Sequence, residues 1–79
     1  MKVFVKLIAI YQNLLPAGTI GNTIEIEVPR GTTILQVLSP FGVPLDDTSV
    51  IVLNGLTVEL NTPVSEGDTV AAFSAIAGG

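Results

Sequence analysis

Between Thr23 and Phe41 the apolar residues change their period. In TIEIEV (23–28), Ile24, Ile26 and Val28 alternate with Glu25 and Glu27. That is the repeat of a strand with one buried and one wet face. After the turn Pro29-Arg30-Gly31, the residues Ile34, Val37, Leu38 and Phe41 recur at i, i+3, i+4 and i+7. That is the stripe of a helix burying one side. A one-faced strand followed after a tight turn by a one-faced helix has few ways to hide both stripes, and the simplest lays the helix across the sheet. Thr32 or Thr33 can cap the helix start. Pro40 disfavours helical geometry at Ser39 and ends the regular helix near there. Gly42 suits the left-handed position beyond a helix end.

The flanks supply the other strands. Residues 2–10 alternate, with Val3, Val5 and Leu7 on one face and Phe4, Lys6 and Ile8 on the other. LLPAGTIGN (14–22) reads as a loop, since it carries Pro16, Gly18 and Gly21. The first two strands thus form an antiparallel hairpin with a long connection. SVIVLNGLTVEL holds two β-rich runs around Asn54-Gly55, a type I′ turn signal. NTPVSEGD is a further turn region, and TVAAFSA is a last strand that could pair in parallel with the first. The expected fold is α+β, a roll of four to five strands in a mixed sheet packed on one helix. It forms one domain over residues 1–76, with 77–79 as a flexible tail.

The chain has 79 residues, no Cys and no His. Disulfides, imidazole bases and the usual zinc ligands are therefore excluded. The apolar fraction is 48%, high for a domain so small, and an uncovered apolar patch is expected on its surface. The net charge of −4 sets the chain against nucleic acid and anionic membranes, and favours a partner with a basic face. The apolar run Leu7–Tyr11 is five residues long. A secretory core needs roughly 7–15, and a membrane span about 18. A cytoplasmic protein is expected.

Few residues look reactive. Glu66 and Asp68 in SEGD read as a surface turn around Gly67. Asp46 and Asp47 read as a solvated loop, and Glu25 and Glu27 as the wet face of a strand. Arg30 stands alone, and PRGTT has too few glycines for a phosphate loop. Phe73 differs from these. Val70 and Ala72 share one parity of the last strand, which leaves Phe73 for the other. If the helix covers Val70 and Ala72, Phe73 stands on the open face of the sheet, with Phe4 on the first strand. Aromatic residues there are common interface anchors.

These features together resemble the MoaD/ThiS family of ubiquitin-like sulfur carriers. The resemblance covers the whole chain and is strongest over residues 50–79. There VLNG leads a hairpin, EGD turns into a strand bearing an aromatic, and the sequence finishes Ile-Ala-Gly-Gly. GTTILQVL also resembles that family's helix start. Ser74-Ala75 stands where members acting in molybdopterin synthesis often carry prolines. The resemblance implies a β-grasp, ubiquitin-like fold. It implies a protein that is a co-substrate or non-catalytic synthase subunit, not an enzyme, and that binds no metal or cofactor itself. An E1-like partner would use ATP to adenylate the carboxylate of Gly79. A sulfur donor, a sulfurtransferase, would convert it to a thiocarboxylate. The large subunit of a synthase would then receive Ala77, Gly78 and Gly79 in a narrow channel and take the sulfur, for a molybdopterin-type cofactor. Phe73 matches a position where the family often puts an aromatic at its partner interface. A glycine has no Cβ to obstruct such a channel, and a carboxylate reacts poorly until adenylation gives it a leaving group.

Other readings remain open at the level of sequence. A thiamine-pathway or tRNA-thiolation carrier would share the same activation chemistry. So would a ubiquitin-like modifier that joins the terminus to lysines. The remoter reading is an interaction module with an incidental Gly-Gly.

Overall fold

A computed structural model of the chain describes residues 1–76. The elements run β1 (Lys2–Leu7), a 3₁₀ segment (Ala9–Leu14), β2 (Thr23–Glu27), α1 (Ile34–Leu38), a 3₁₀ turn (Ser39–Phe41), β3 (Ser49–Leu53), β4 (Leu56–Thr57) and β5 (Thr69–Ser74). The five strands form one mixed sheet in the order β2-β1-β5-β3-β4. β1 pairs antiparallel with β2 and parallel with β5, so the first and last strands lie at the centre. β3 pairs antiparallel with β4 and β5. This is the α+β roll that the change of period implies.

The helix stripe meets the sheet. Ile34, Val37 and Leu38 pack against Val3, Val5, Leu7, Val70 and Ala72, and all eight are sealed from solvent. Ile24, Ile26, Val28 and Phe41 pack at the margin of this cluster and stay half-buried. α1 has only five residues, yet its first amides are all paired. Ile34 N–H donates to Thr62 C=O at 3.0 Å and Leu35 N–H to Leu60 C=O at 2.9 Å. Gln36 N–H donates to Thr33 Oγ1 at 3.3 Å, and Thr33 N–H to Gln36 Oε1 at 3.0 Å, a reciprocal capping box. Beyond Pro40, Gly42 closes the turn in the left-handed region at φ 78°.

Two expected boundaries differ. The first strand stops at Leu7 instead of running to residue 10, because Ala9 takes φ 54° and breaks the extended path. The chain then coils through the 3₁₀ segment, which sends Tyr11 and Leu15 into the core. Leu7, Tyr11 and Leu15 recur at a helical interval, the signal that an alternating reading of 2–10 passes over. The run after Asn54-Gly55 is also shorter than expected. Both turn residues have positive φ, 51° and 87°, as a type I′ hairpin needs. β4 nevertheless ends at Thr57. Residues 58–62 leave the sheet because the carbonyls of Leu60 and Thr62 serve the helix start.

Candidate partner-docking face and the root of the tail

The face of the sheet away from α1 is assembled by register alone. Lys6 lies beside Ala71, Ala71 beside Val52, and Val50 beside Phe73. None of these belongs to the core cluster or packs against it. Phe4 lies on the same face, opposite Glu25 and beside Thr69. Phe73 thus stands where the parity of its strand places it, half-buried among apolar neighbours. Phe4 shares the face but not the patch, since its place in the register is four residues from that of Phe73. At about 3.3 Å per strand residue that separates them by roughly 13 Å. Strand parity puts Ala71 on the face of Phe73, but reasoning from the sequence missed Val50 and Val52 as their companions. The alternation of Ser-Val-Ile-Val-Leu carries that signal, because Ile51 and Leu53 claim the core side.

The face has two halves. Over β5 and β3 it is apolar. Over β2 and β1 it carries Lys2, Lys6, Glu25 and Glu27, with Lys2 Nζ 4.0 Å from Glu25 Oε2. Both side chains of that pair are more than half exposed, so it adds little to stability.

The strand that bears Phe73 also leads to the tail, and its far end is anchored from the side. Ala75 N–H donates to Thr48 C=O at 2.8 Å, and Ile76 N–H to Ser74 Oγ at 3.2 Å. Tyr11, on the 3₁₀ segment, hydrogen-bonds Ser49 Oγ at 2.5 Å through its hydroxyl. The chain is therefore held in place as far as Ile76, which is 58% exposed. Ala77, Gly78 and Gly79, the expected threading and acceptor residues, lie outside the described residues.

The carboxylates have local work. Glu66 accepts from Lys2 N–H at 3.1 Å. Asp68 accepts from Ser65 N–H at 2.7 Å and from Asn54 Nδ2 at 3.0 Å. Asp46 accepts from the hydroxyl and the N–H of Thr48, which holds its pKa below the ordinary value. Among the described residues no polar or charged side chain is buried, and no group of His, Cys, Asp or Glu could hold a metal ion. No helix among them is long and apolar enough to cross a membrane. What the site offers is an apolar contact surface and an anchored strand end.

Comparison with solved structures places the fold. The chain superposes on SAMP1 from Haloferax volcanii with a TM-score of 0.78 at 22% identity, each chain covered in full (100%). It superposes on a Pyrococcus furiosus protein assigned as a molybdopterin converting factor, subunit 1, with a TM-score of 0.74 at 24% identity, over 95% of this chain and 98% of that one. A ubiquitin-like protein from the archaeon Caldiarchaeum subterraneum gives a TM-score of 0.57 at 19% identity, over 96% and 97% of the two chains. These likenesses establish a ubiquitin-like β-grasp. Comparison with curated proteins gives no match. The family model described as ThiS family matches residues 5–79, nearly the whole sequence, and the chain belongs to that family.

Proposed function

We propose that this protein is a sulfur carrier and that the α-carboxylate of Gly79 is its acceptor group. The observation that carries the reading is the family match, which runs through Ala77-Gly78-Gly79. In the proposed cycle an E1-like enzyme binds the carrier, and the carboxylate attacks the α-phosphorus of ATP. Pyrophosphate leaves and an acyl-adenylate remains. A persulfide on a sulfurtransferase displaces AMP to give an acyl disulfide. A second thiol then attacks that disulfide, so that the products are a thiocarboxylate and a disulfide. A synthase large subunit then takes the sulfur, in the making of a molybdopterin-type cofactor. ATP belongs to the activating enzyme in this scheme, and the carrier contributes its docking face and its terminus.

The structure supports the division of labour. The apolar patch around Phe73 lies on the strand that runs to the tail, so one partner can grip the patch and receive the tail together. The chain is acidic overall, which suits a basic partner, while Lys6 beside the patch calls for an acidic group on the partner at that point.

A second reading is a protein modifier, favoured by the likeness in fold to SAMP1. Intact mass of the protein purified from its native host separates the two. Exchange of one oxygen for sulfur at the terminus is the expected result. A lysine adduct through Gly79 would make it a modifier instead. An unchanged mass in sulfur-replete cells would count against both.

A further inference from the structure

β2 is one edge of the sheet, and its outer side is unpaired among the described residues. The Met1 amino group donates to Val28 C=O at 2.7 Å, Val28 N–H to Met1 C=O at 2.8 Å, and Leu7 N–H to Asn22 C=O at 2.9 Å. Bonded residues alternate along an antiparallel ladder, and the pairs Val3–Ile26 and Val5–Ile24 continue the same series. Asn22, Ile24, Ile26 and Val28 therefore commit their backbone groups to β1. Thr23, Glu25 and Glu27 turn theirs outward. A row of outward N–H and C=O groups is a template for another extended main chain.

The side chains on this edge state what that chain must look like. Glu25 and Glu27 project on the open face of the sheet, while Ile24 and Ile26 project on the helix side, where they stay half-buried. Glu27 has the Met1 amino group at 3.7 Å, and Glu25 has Lys2 at 4.0 Å. Even so, 74% and 51% of the two glutamate side chains remain exposed. A residue directly opposite Glu25 or Glu27 on an incoming strand would share their face and gain from a positive charge. The residues between would lie over Ile24 and Ile26 and gain from being apolar. A second copy of β2 fits poorly, because carboxylates would face carboxylates.

We propose that the outer edge of β2 takes up an extended segment of a partner protein in which basic and apolar residues alternate. The segment adds a strand to the sheet, with its basic residues opposite Glu25 and Glu27. This surface is distinct from the patch around Phe73, because β1 lies between Glu25 and the apolar half of the open face.

The test is an amide NMR titration of the full-length protein with a capped seven-residue peptide of alternating valine and lysine. Saturable shifts centred on Thr23, Glu25 and Glu27 are expected. Replacing the lysines by glutamates should weaken binding on the order of tenfold, the sum of two cross-strand charge pairs. The double variant Glu25→Lys, Glu27→Lys should reverse the preference and bind the glutamate peptide, which also shows that it is folded. The proposal is overturned if no saturable shift appears, if the shifts centre on Val50, Val52 and Phe73, or if both peptides bind alike. It is equally overturned if dilution of the protein alone moves the β2 amides, since the edge would then serve a second copy.

Discussion

On the helix side of the sheet Val3, Val5, Leu7, Val70 and Ala72 are wholly buried, at 0% exposure. On the other side Phe4, Val50, Val52 and Phe73 are no less apolar, yet each keeps part of its surface in solvent. The two faces alternate along the same strands, so neither β propensity nor hydrophobicity separates them. What separates them is cover. α1 and the 3₁₀ segment close one face, and no described element closes the other. Apolar area left open on so small a body marks a place for a partner. The comparison teaches that one face of this sheet holds the fold together while the other is free to serve binding.

The sharpest way to break that comparison is to cut into the closed face. Leu38→Ala removes a fully buried side chain from the helix–sheet contact. It should cost about 2–5 kcal/mol, as core truncations do, read from the shift of a urea midpoint. A loss no larger than that of an open-face change would mean that the two faces are not different in kind.

Phe73→Ala makes the matching cut on the open face. Stability should fall by clearly less than for Leu38→Ala, because Phe73 keeps part of its surface in solvent while Leu38 keeps none. Binding to the partner should weaken, measured by calorimetry with the activating enzyme. A large loss of stability would place Phe73 in the fold's support instead.

Thr48→Val should have the smallest effect and belongs to neither face. It removes the hydroxyl that donates to Asp46 and keeps the N–H. The pKa of Asp46 is depressed in the folded state. A depressed carboxylate contributes stability above its ordinary pKa and loses it as pH falls through the folded value. The variant should therefore be slightly less stable than the native protein at neutral pH, and the gap should close under acid conditions. The carboxyl carbon of Asp46, followed by NMR, should titrate at higher pH in the variant. A gap that grew as pH fell would contradict the assignment.

Much of this was legible in the sequence, for a physical reason. Where an element has one face in the core, its period is written by solvent. TIEIEV and the stripe Ile34, Val37, Leu38 and Phe41 show it, and Asn54-Gly55 fixes its hairpin by backbone sterics alone. The missed 3₁₀ segment depends on a left-handed alanine at position 9, a conformation that local propensity disfavours and that tertiary packing of Tyr11 and Leu15 imposes. The end of β4 at Thr57 was hidden because the carbonyls of Leu60 and Thr62 just beyond it are taken by a helix more than twenty residues earlier. Phe73 was legible by parity. The patch around it was not, since register brings Val50 and Val52 beside Ala71 and Phe73 only once the strand order is known.

The central claim is that Gly79 bears the group on which the partner acts, and ATP–pyrophosphate exchange with the matching E1-like enzyme tests it most directly. The native protein should support exchange. The protein lacking Gly79 should not, because one extended residue spans roughly 3.3–3.6 Å and even about 1 Å of misplacement can cost on the order of 100-fold in rate. Gly78→Val should fail as well, by filling a channel shaped for a residue without a Cβ. A melting curve run beside each variant should match that of the native protein, so that loss of exchange reports the terminus and not the fold. Exchange at the native rate by the truncated protein would contradict the account, and Gly79 would not be the reactive residue.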